Sequence, residues 1–190
     1  MSGTKVVIGG IPGVGKTTVL QYLTDSGIDV ENFGDIMLKE ALSRGYVDNR
    51  DQMRKMPLEL QLEIQKKAAE YFSEKESVVI DTHLSVRTKI GFLPGLPRNI
   101  LEIIRPDLII SLEADPHEIF LRRSNDSTRA RDSETEADIK AHIDMNRMYG
   151  TVYSAIAGCA LMTVKNETNK AEDAAREIIL AIKGNDNKKF

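Results

Sequence analysis

The clearest pattern along this chain is a series of short, continuous apolar runs bounded by polar residues. These runs predict strands at 5–8, 77–81, 107–112 and 160–164, and a weaker run predicts one more at 29–33. A strand that is apolar at successive positions is buried on both faces, as the strands of parallel sheets are. The segments between the runs are long enough for helical connections from each strand to the next.

Helical periodicity occurs between these runs. One helix is predicted from about 35 to 44 and a longer one from about 57 to 72, where apolar residues recur every fourth position at Leu60, Ile64, Ala68 and Phe72. Asp115 before a proline and the pattern Ser133-x-x-Glu136 predict two more helix starts. The elements together predict an α/β fold, a central parallel five-stranded sheet with helices on both faces.

The segment after the first strand matches the P-loop pattern at every required position: Gly10, Ile11, Pro12, Gly13, Val14, Gly15, Lys16 and Thr17. Its glycines allow positive φ, so backbone N–H groups can turn inward around a phosphate. The helix that opens at Thr17 adds the positive end of its dipole, and Lys16 adds a cation for the outer phosphates. The sequence therefore predicts a nucleoside triphosphate site that extends to Thr18.

Asp81 comes directly after a buried apolar run. Ligands of parallel sheets bind beyond the carboxyl ends of the strands, so Asp81 is expected at the same edge as the P-loop. Its carboxylate and the Thr17 hydroxyl are predicted to hold Mg²⁺, directly or through water. The alternative is an aspartate that caps the following turn. His83 is interpreted as a hydrogen-bonded loop histidine in preference to a substrate ligand.

A cluster of arginines favours phosphoryl transfer over plain nucleotide binding. Four of them fall within ten residues, in and around a polar stretch that interrupts a helix: Arg122, Arg123, Arg129 and Arg131. Arg147 on the next helix is a further candidate. Guanidinium groups neutralise the charge of a moving phosphoryl group, and a loop can bring them in only when substrate is bound. The alternative is a solvated loop whose arginines pair with neighbouring acids.

Composition narrows the classes of partner. A length of 190 residues suits a single domain, and a formal net charge of −3 gives no basic surface for nucleic acid or an anionic membrane. The apolar run near the start is too short to span a bilayer. Cys159 stands alone, which excludes an intrachain disulfide and fits a reducing compartment. We therefore expect a cytoplasmic protein with neither nucleic acid nor membrane as a partner.

Four short motifs accompany the P-loop: Phe33-Gly34-Asp35, Asp81-Thr82-His83, the Gly-Phe-Leu-Pro-Gly-Leu-Pro segment at 91–97, and Thr128-Arg129-x-Arg131-Asp132. In this combination the chain resembles the archaeal-type adenylate kinases from about residue 4 to residue 183. The P-loop alone would indicate only the superfamily. The 91–97 segment and the short arginine-bearing stretch make the resemblance much more specific.

The resemblance implies reversible transfer of a phosphoryl group from Mg-ATP to AMP, which gives two ADP. It implies a P-loop kinase fold in a single domain over 1–190, with monophosphate-binding helices at about 35–72 and a short lid at about 124–133. It also implies a homotrimer, which members of this family often form. The cofactors would be ATP and Mg²⁺. The catalytic roles would belong to Lys16, Arg129, Arg131 and Arg147.

The residues of the acceptor site are the ones that the family resemblance assigns least directly. Its expected residues are Phe33, Gly34, Asp35, Arg54, Arg87 and Gly95. Arg54 is the expected cation for the AMP phosphate, with Arg50 as the alternative. In the more familiar bacterial and eukaryotic adenylate kinases the third strand ends in Asp-Gly-Phe-Pro-Arg, whereas here it ends in Asp-Thr-His-Leu-Ser. The arginine that grips AMP there has no direct counterpart, and Arg87 is the expected substitute. The 91–97 segment either frames the acceptor base or serves as a rigid connector.

Three other functions remain open at this point. A kinase for another nucleoside monophosphate or a small metabolite would share the P-loop, Asp81 and the arginines. A regulatory P-loop NTPase would carry Asn-Lys-x-Asp, whereas the chain has Asn-Lys-Ala-Glu at 169–172, which suits a helix start better. A nucleic-acid-linked ATPase is disfavoured by the mildly acidic balance. Turnover with each monophosphate would separate these functions.

Overall fold

A five-stranded parallel sheet forms the centre of the computed structural model, which describes residues 3–124 and 134–185. Its strands are β1 (Lys5–Gly9), β2 (Val30–Asn32), β3 (Val78–Thr82), β6 (Leu108–Glu113) and β7 (Ala160–Lys165). They lie in the order β2-β3-β1-β6-β7, and every neighbouring pair is parallel. An antiparallel hairpin of β4 (Ser85–Thr88) and β5 (Gly91–Pro94) follows β3 in the chain. The predicted sheet is confirmed.

Helices connect the strands and cover the sheet. In the described residues they are α1 (Lys16–Asp25), α2 (Phe33–Ser43), α3 (Arg50–Arg54), α4 (Leu58–Ser73), α5 (Arg98–Ile104), α6 (Pro116–Ser124), α7 (Glu136–Ala157) and α8 (Ala171–Asn185). Among them, no helix combines the length and the apolar character that crossing a membrane requires. The short helices α3 and α5 were not anticipated from periodicity.

The side-chain alternation of the central strand divides the core into two layers. Val7 is in register with Ile80 on one neighbouring strand and Ile109 on the other, and all three pack under α4, α5 and α7. Val6 and Ile8 point to the opposite face, where α1 and α8 cover them. Because both faces are covered by apolar helix stripes, the strands appear in the sequence as unbroken apolar runs.

The two predicted helix starts have different outcomes. Asp115 accepts a hydrogen bond from the His117 N–H at 2.9 Å, so α6 begins at the expected proline. The other start was wrong: α7 is capped by Thr135, whose hydroxyl accepts from the Asp138 N–H at 3.2 Å while the Asp138 carboxylate accepts from the Thr135 N–H at 3.0 Å. Two overlapping capping-box patterns exist there, and the later one forms. Ser133 lies outside the described residues.

The hairpin is the largest element that the sequence did not predict, since 91–97 was expected to be a loop that either frames the acceptor base or serves as a rigid connector. It is held on α7 by hydrogen bonds to two tyrosines. The Tyr149 hydroxyl donates to the Phe92 carbonyl at 2.9 Å, and the buried Tyr153 hydroxyl donates to the Leu84 carbonyl at 2.6 Å. The Tyr153 hydroxyl also accepts from the Leu96 N–H at 3.3 Å. Both ends of the hairpin are therefore anchored to the same helix.

Tyr153→Phe should show how much the Tyr153 hydroxyl contributes to the free energy of unfolding. The change leaves the buried Leu96 N–H without its acceptor, and we expect the free energy of unfolding to fall by about 1–3 kcal/mol. Tyr149→Phe removes one hydrogen bond at a partly solvated carbonyl and should cost less than about 1 kcal/mol. Urea denaturation measures both. Equal losses would contradict the stronger role assigned to Tyr153.

Candidate active site

A cavity of about 740 Å³ opens beyond the carboxyl ends of the central strands. This volume is typical of small-molecule sites. Its walls are the P-loop residues 10–17, residues 32–34 at the end of β2, residues 81–83 at the end of β3, and several side chains or loop positions from other elements: Met37, Arg50, Met53, Arg54, Gln65, Val86, Gly95 and Arg122. The predicted edge of the sheet is thus where the cavity lies.

The P-loop has the conformation that its glycines predicted. Gly13 and Gly15 have φ values of 84° and 85°, in the left-handed region that favours glycine. Gly15 is also the N-cap of α1, and no side chain caps this helix. The N–H groups of its first turn therefore remain available to an anion at the positive end of the helix dipole.

An ion pair joins the P-loop to the end of β3. The Lys16 ammonium pairs with the Asp81 carboxylate and donates to the Thr82 carbonyl at 2.7 Å. The other carboxylate oxygen accepts from the Asn32 side-chain amide at 2.7 Å. Asn32 also caps α2, because its side-chain oxygen accepts from the Asp35 N–H at 3.1 Å. In the described residues, Asp81 accepts these side-chain donors and no backbone N–H of the turn that follows it.

His83 lies on the cavity wall beside this ion pair. Burial, and then the positive charge of Lys16, lower the pKa of the imidazole below its ordinary value. The histidine is therefore neutral at neutral pH. The interpretation of His83 as a hydrogen-bonded loop histidine, in preference to a substrate ligand, stays a prediction.

A second set of cations lies on the helical side of the cavity. Arg50 pairs with Asp35, and Arg54 is 3.3 Å from Asp51. Both guanidinium-bearing residues line the cavity, whereas Asp35 does not. Gln65 also lines it, and this amide makes no hydrogen bond with the described part of the chain. The cavity thus offers positive charge and polar groups away from the P-loop as well as within it.

Glycine is required at one point of this wall. A side chain at Gly95 would collide with the His83 carbonyl. Gly34 lies beside Arg50, since a Cβ added at Gly34 would be 3.7 Å from the nearest guanidinium nitrogen of Arg50. Phe33 supplies an apolar surface where α2 begins. These three predicted acceptor-site residues are therefore brought together in one cavity.

Several predicted site residues lie elsewhere. Arg87 on β4 binds Glu134 at 2.7 Å and Asp138 at 3.0 Å, outside the cavity lining. The Arg147 Nε donates to Glu113 at 3.0 Å, and this residue too is absent from the lining. Thr18 follows the P-loop on α1 and is absent from the cavity lining. Arg129 and Arg131 lie outside the described residues.

Sequence reasoning missed other residues that line the cavity. Asn32 carried a signal, since an asparagine before Phe33-Gly34-Asp35 is a typical N-cap. Arg122 was noted only as a cation of the arginine cluster, whereas its guanidinium donates to the Val14 carbonyl of the P-loop at 3.1 Å. Gln65 had no signal beyond its place on an amphipathic helix.

Comparison with known proteins decides the family. A family described as an AAA domain matches residues 9–140. The adenylate kinase of Thermoplasma volcanium is 47% identical over 178 residues, which cover 93% of this chain and 98% of that protein. The adenylate kinase of Methanocaldococcus jannaschii is 42% identical over 192 residues, covering 96% and 100%. The chain belongs to the adenylate kinase family. The resemblance inferred from the motifs is confirmed.

Solved structures confirm the fold independently. Shikimate kinase from Acinetobacter baumannii matches with a TM-score of 0.62 at 17% identity, over 98% of this chain and 97% of that one. Shikimate kinase from Aquifex aeolicus matches with a TM-score of 0.55 at 20% identity, over 98% and 100%. The adenylate kinase family member described here therefore has the predicted P-loop kinase architecture.

Proposed function

We propose that this chain is an adenylate kinase that transfers a phosphoryl group reversibly from ATP to AMP, with Mg²⁺, to give two ADP. One observation carries the proposal within the family assignment: a single cavity is lined both by the P-loop and by Arg50 and Arg54. Two separate groups of anion-binding residues in one cavity suit two nucleotides whose phosphates face each other. A plain NTPase has no use for the second group.

On the donor side, residues 10–18 bind the ATP phosphates. The backbone N–H groups of the P-loop and of the first turn of α1 provide the anion site. Lys16 exchanges the Asp81 carboxylate for the transferred phosphoryl group and neutralises the charge that develops on it. Arg129 and Arg131 are assigned as further cations on the basis of the family resemblance.

On the acceptor side, Arg54 and Arg50 bind the AMP phosphate. Both line the cavity, while Arg87 is bound to two carboxylates outside it, so the proposal gives Arg87 no contact with AMP. Phe33, Gly34 and Gly95 form the neighbouring wall. Arg147 is assigned to catalysis only if its guanidinium leaves Glu113.

The residues present fit a magnesium ion. Thr17 and Asp81 both line the cavity, and a hydroxyl and a carboxylate are the hard oxygen ligands that Mg²⁺ takes alongside phosphate and water. When bound, Mg²⁺ neutralises phosphate charge. Asp81 is held ready for this role by Asn32, whose amide fixes one carboxylate oxygen.

The activity is tested by ADP formation from ATP with each nucleoside monophosphate in turn. We expect turnover with AMP and little without an acceptor. Lys16→Met removes the charge that faces the transferred group, and turnover should fall roughly a hundredfold while the circular dichroism spectrum stays near wild type. The melting temperature should fall, because the partly buried Asp81 carboxylate loses its partner. ATP hydrolysis that ignores the acceptor, or preference for another monophosphate, would contradict the assignment.

Asp81→Asn tests the magnesium role. The amide keeps the size and the contact with Asn32 but removes the charge, so the magnesium concentration for half-maximal rate should rise about tenfold or more. Binding of ATP without metal, measured by calorimetry, should change little. An unaltered magnesium dependence would return Asp81 to a purely structural role.

We also propose that copies of the chain associate, with a homotrimer as the state that the family resemblance suggests, and that they do so in the cytoplasm. The described residues offer an apolar stripe on α7 for this contact: Met148, Val152 and Ile156, which are 62%, 51% and 40% exposed. Leu58 and Leu62 on α4 are 69% and 46% exposed, so the monomer leaves these two apolar side chains uncovered as well.

Val152→Glu should shift sedimentation toward the monomer, because a charge in the centre of the α7 stripe opposes its burial. Leu180→Glu is the matched control, since Leu180 is exposed on a different helix. A wild type that sediments as a monomer, or equal effects of both changes, would contradict the assigned surface.

A further inference from the structure

Side chains from distant parts of the chain hold the carbonyls of the P-loop, and one of them, Arg122, also lines the cavity. The Val14 carbonyl accepts from the Asn166 amide at 2.8 Å and from the Arg122 guanidinium at 3.1 Å. The Pro12 carbonyl accepts two N–H groups of Arg123, at 2.9 and 2.5 Å. Two carbonyls, two residues apart in the sequence, therefore each accept two hydrogen bonds.

These contacts fix the direction of the N–H groups that follow. A trans peptide is planar, with its carbonyl and its N–H on opposite sides. Fixing the Pro12 and Val14 carbonyls therefore also fixes the Gly13 and Gly15 N–H groups, on the opposite side of each peptide. In the described part of the chain these two N–H groups donate to no protein acceptor, and both glycines line the cavity. The contacts therefore leave both N–H groups available to an anion in the cavity.

The same side chains occupy the space beside the two glycines. A Cβ at Gly13 would lie 3.0 Å from the Arg123 Cγ and 3.2 Å from its Nε. A Cβ at Gly15 would collide with the Asn166 amide nitrogen. The glycines are thus needed for their positive φ and also because the gripping side chains fill the positions of their missing side chains.

Carboxylates hold both arginines in place. Arg122 binds Glu118 one turn earlier on α6 at 2.8 Å, and it also donates to the Asn166 carbonyl at 3.1 Å. Arg123 pairs with Glu134 at the other side of the undescribed 125–133 segment. Guanidinium groups anchored in this way lose less rotamer freedom when they hold a carbonyl, which makes them effective positioning groups.

Stability alone does not explain Asn166. Its residue is 3% exposed, and its side-chain oxygen is buried without a hydrogen-bond partner in the described structure. A buried unpaired oxygen is destabilising, and an apolar residue of similar size would avoid it. The retained amide is explained by what its nitrogen does at the Val14 carbonyl.

We propose that Asn166, Arg122 and Arg123 form a clamp that positions the P-loop amides for the ATP phosphates. This proposal rests on the proposed function, because it assigns the triphosphate to the same loop. The three are positioning residues: they act through the Pro12 and Val14 carbonyls on the Gly13 and Gly15 N–H groups. The clamp should therefore affect the ATP side of the reaction and leave the AMP side alone.

Kinetics of Asn166→Leu, Arg122→Met and the double variant test the clamp. Each single change should raise KM for ATP roughly threefold to tenfold, the equivalent of one hydrogen bond, with KM for AMP unchanged. Both residues act on one carbonyl, so the double variant should depart from the product of the single effects by more than about twofold. Arg122→Lys keeps one donor and should recover part of the loss. Arg176→Met, an exposed arginine on α8, is the matched control.

A direct readout comes from the amide of Gly15. Titration with pyrophosphate should shift the ¹H–¹⁵N resonance of the Gly15 amide in the wild type. In a folded Asn166→Leu variant, compared under conditions where both proteins are fully native, the shift should be weaker. Unchanged KM for ATP and an unchanged Gly15 titration in well-folded variants would overturn the clamp. So would equal losses for ATP and AMP, which indicate general destabilisation. A wild type inactive with ATP and AMP would instead overturn the proposed function, whatever the variants do.

Discussion

The partly buried carboxylate of Asp81 is the constraint around which the site is built. Lys16 and Asp81 are each only 15% exposed, so neither charge is well solvated and each needs a partner. In the structure the two charges form an ion pair, and the Asn32 side-chain amide donates a hydrogen bond to the second carboxylate oxygen. This arrangement ties the ends of β1, β2 and β3 to one group. It also means that bound nucleotide has to replace the ion pair with equivalent partners.

Phosphate and Mg²⁺ are such partners. Under the proposed function, Lys16 turns from Asp81 to phosphate while Asp81 gains a cation, so that no charge is left without compensation at either end. An exchange of this kind requires both groups at one edge of the sheet. Their register provides it, since Ile8 is aligned with Asp81 across the β1–β3 pair and the P-loop leaves the sheet directly after Gly9. The chain places β2 and β3 on one side of β1 and β6 and β7 on the other, so the loop after β1 lies where the strand order reverses.

Local patterns in the sequence predicted the strands of the central sheet. They did not predict contacts between residues that lie far apart in the chain. The central strands β1, β3 and β6 were predictable because each is buried on both faces and therefore almost continuously apolar. The hairpin was not, because Ile90 and Leu93 are 97% and 54% exposed and its anchoring depends on tyrosines of α7. Asn166 gave no signal toward the P-loop, since 152 residues separate it from Val14. The motif thus specified the loop, while the groups that hold it came from tertiary structure.

Tertiary contacts also distinguish the arginines from one another, although in the sequence they are equivalent cations. Arg50 and Arg54 pair with Asp35 and Asp51, whose side chains are 66% and 81% exposed, so water can solvate those acids when the arginines leave. Exposed pairs are worth about 1 kcal/mol or less, and a phosphate can displace them. Arg147 is bound to Glu113, which is 7% exposed and would be left as a nearly buried, unpaired charge. Phosphate binding by Arg147 must compensate that loss, whereas phosphate binding by Arg50 or Arg54 need not. The burial of the acid partner, which no motif encodes, therefore decides which arginines are free to meet substrate.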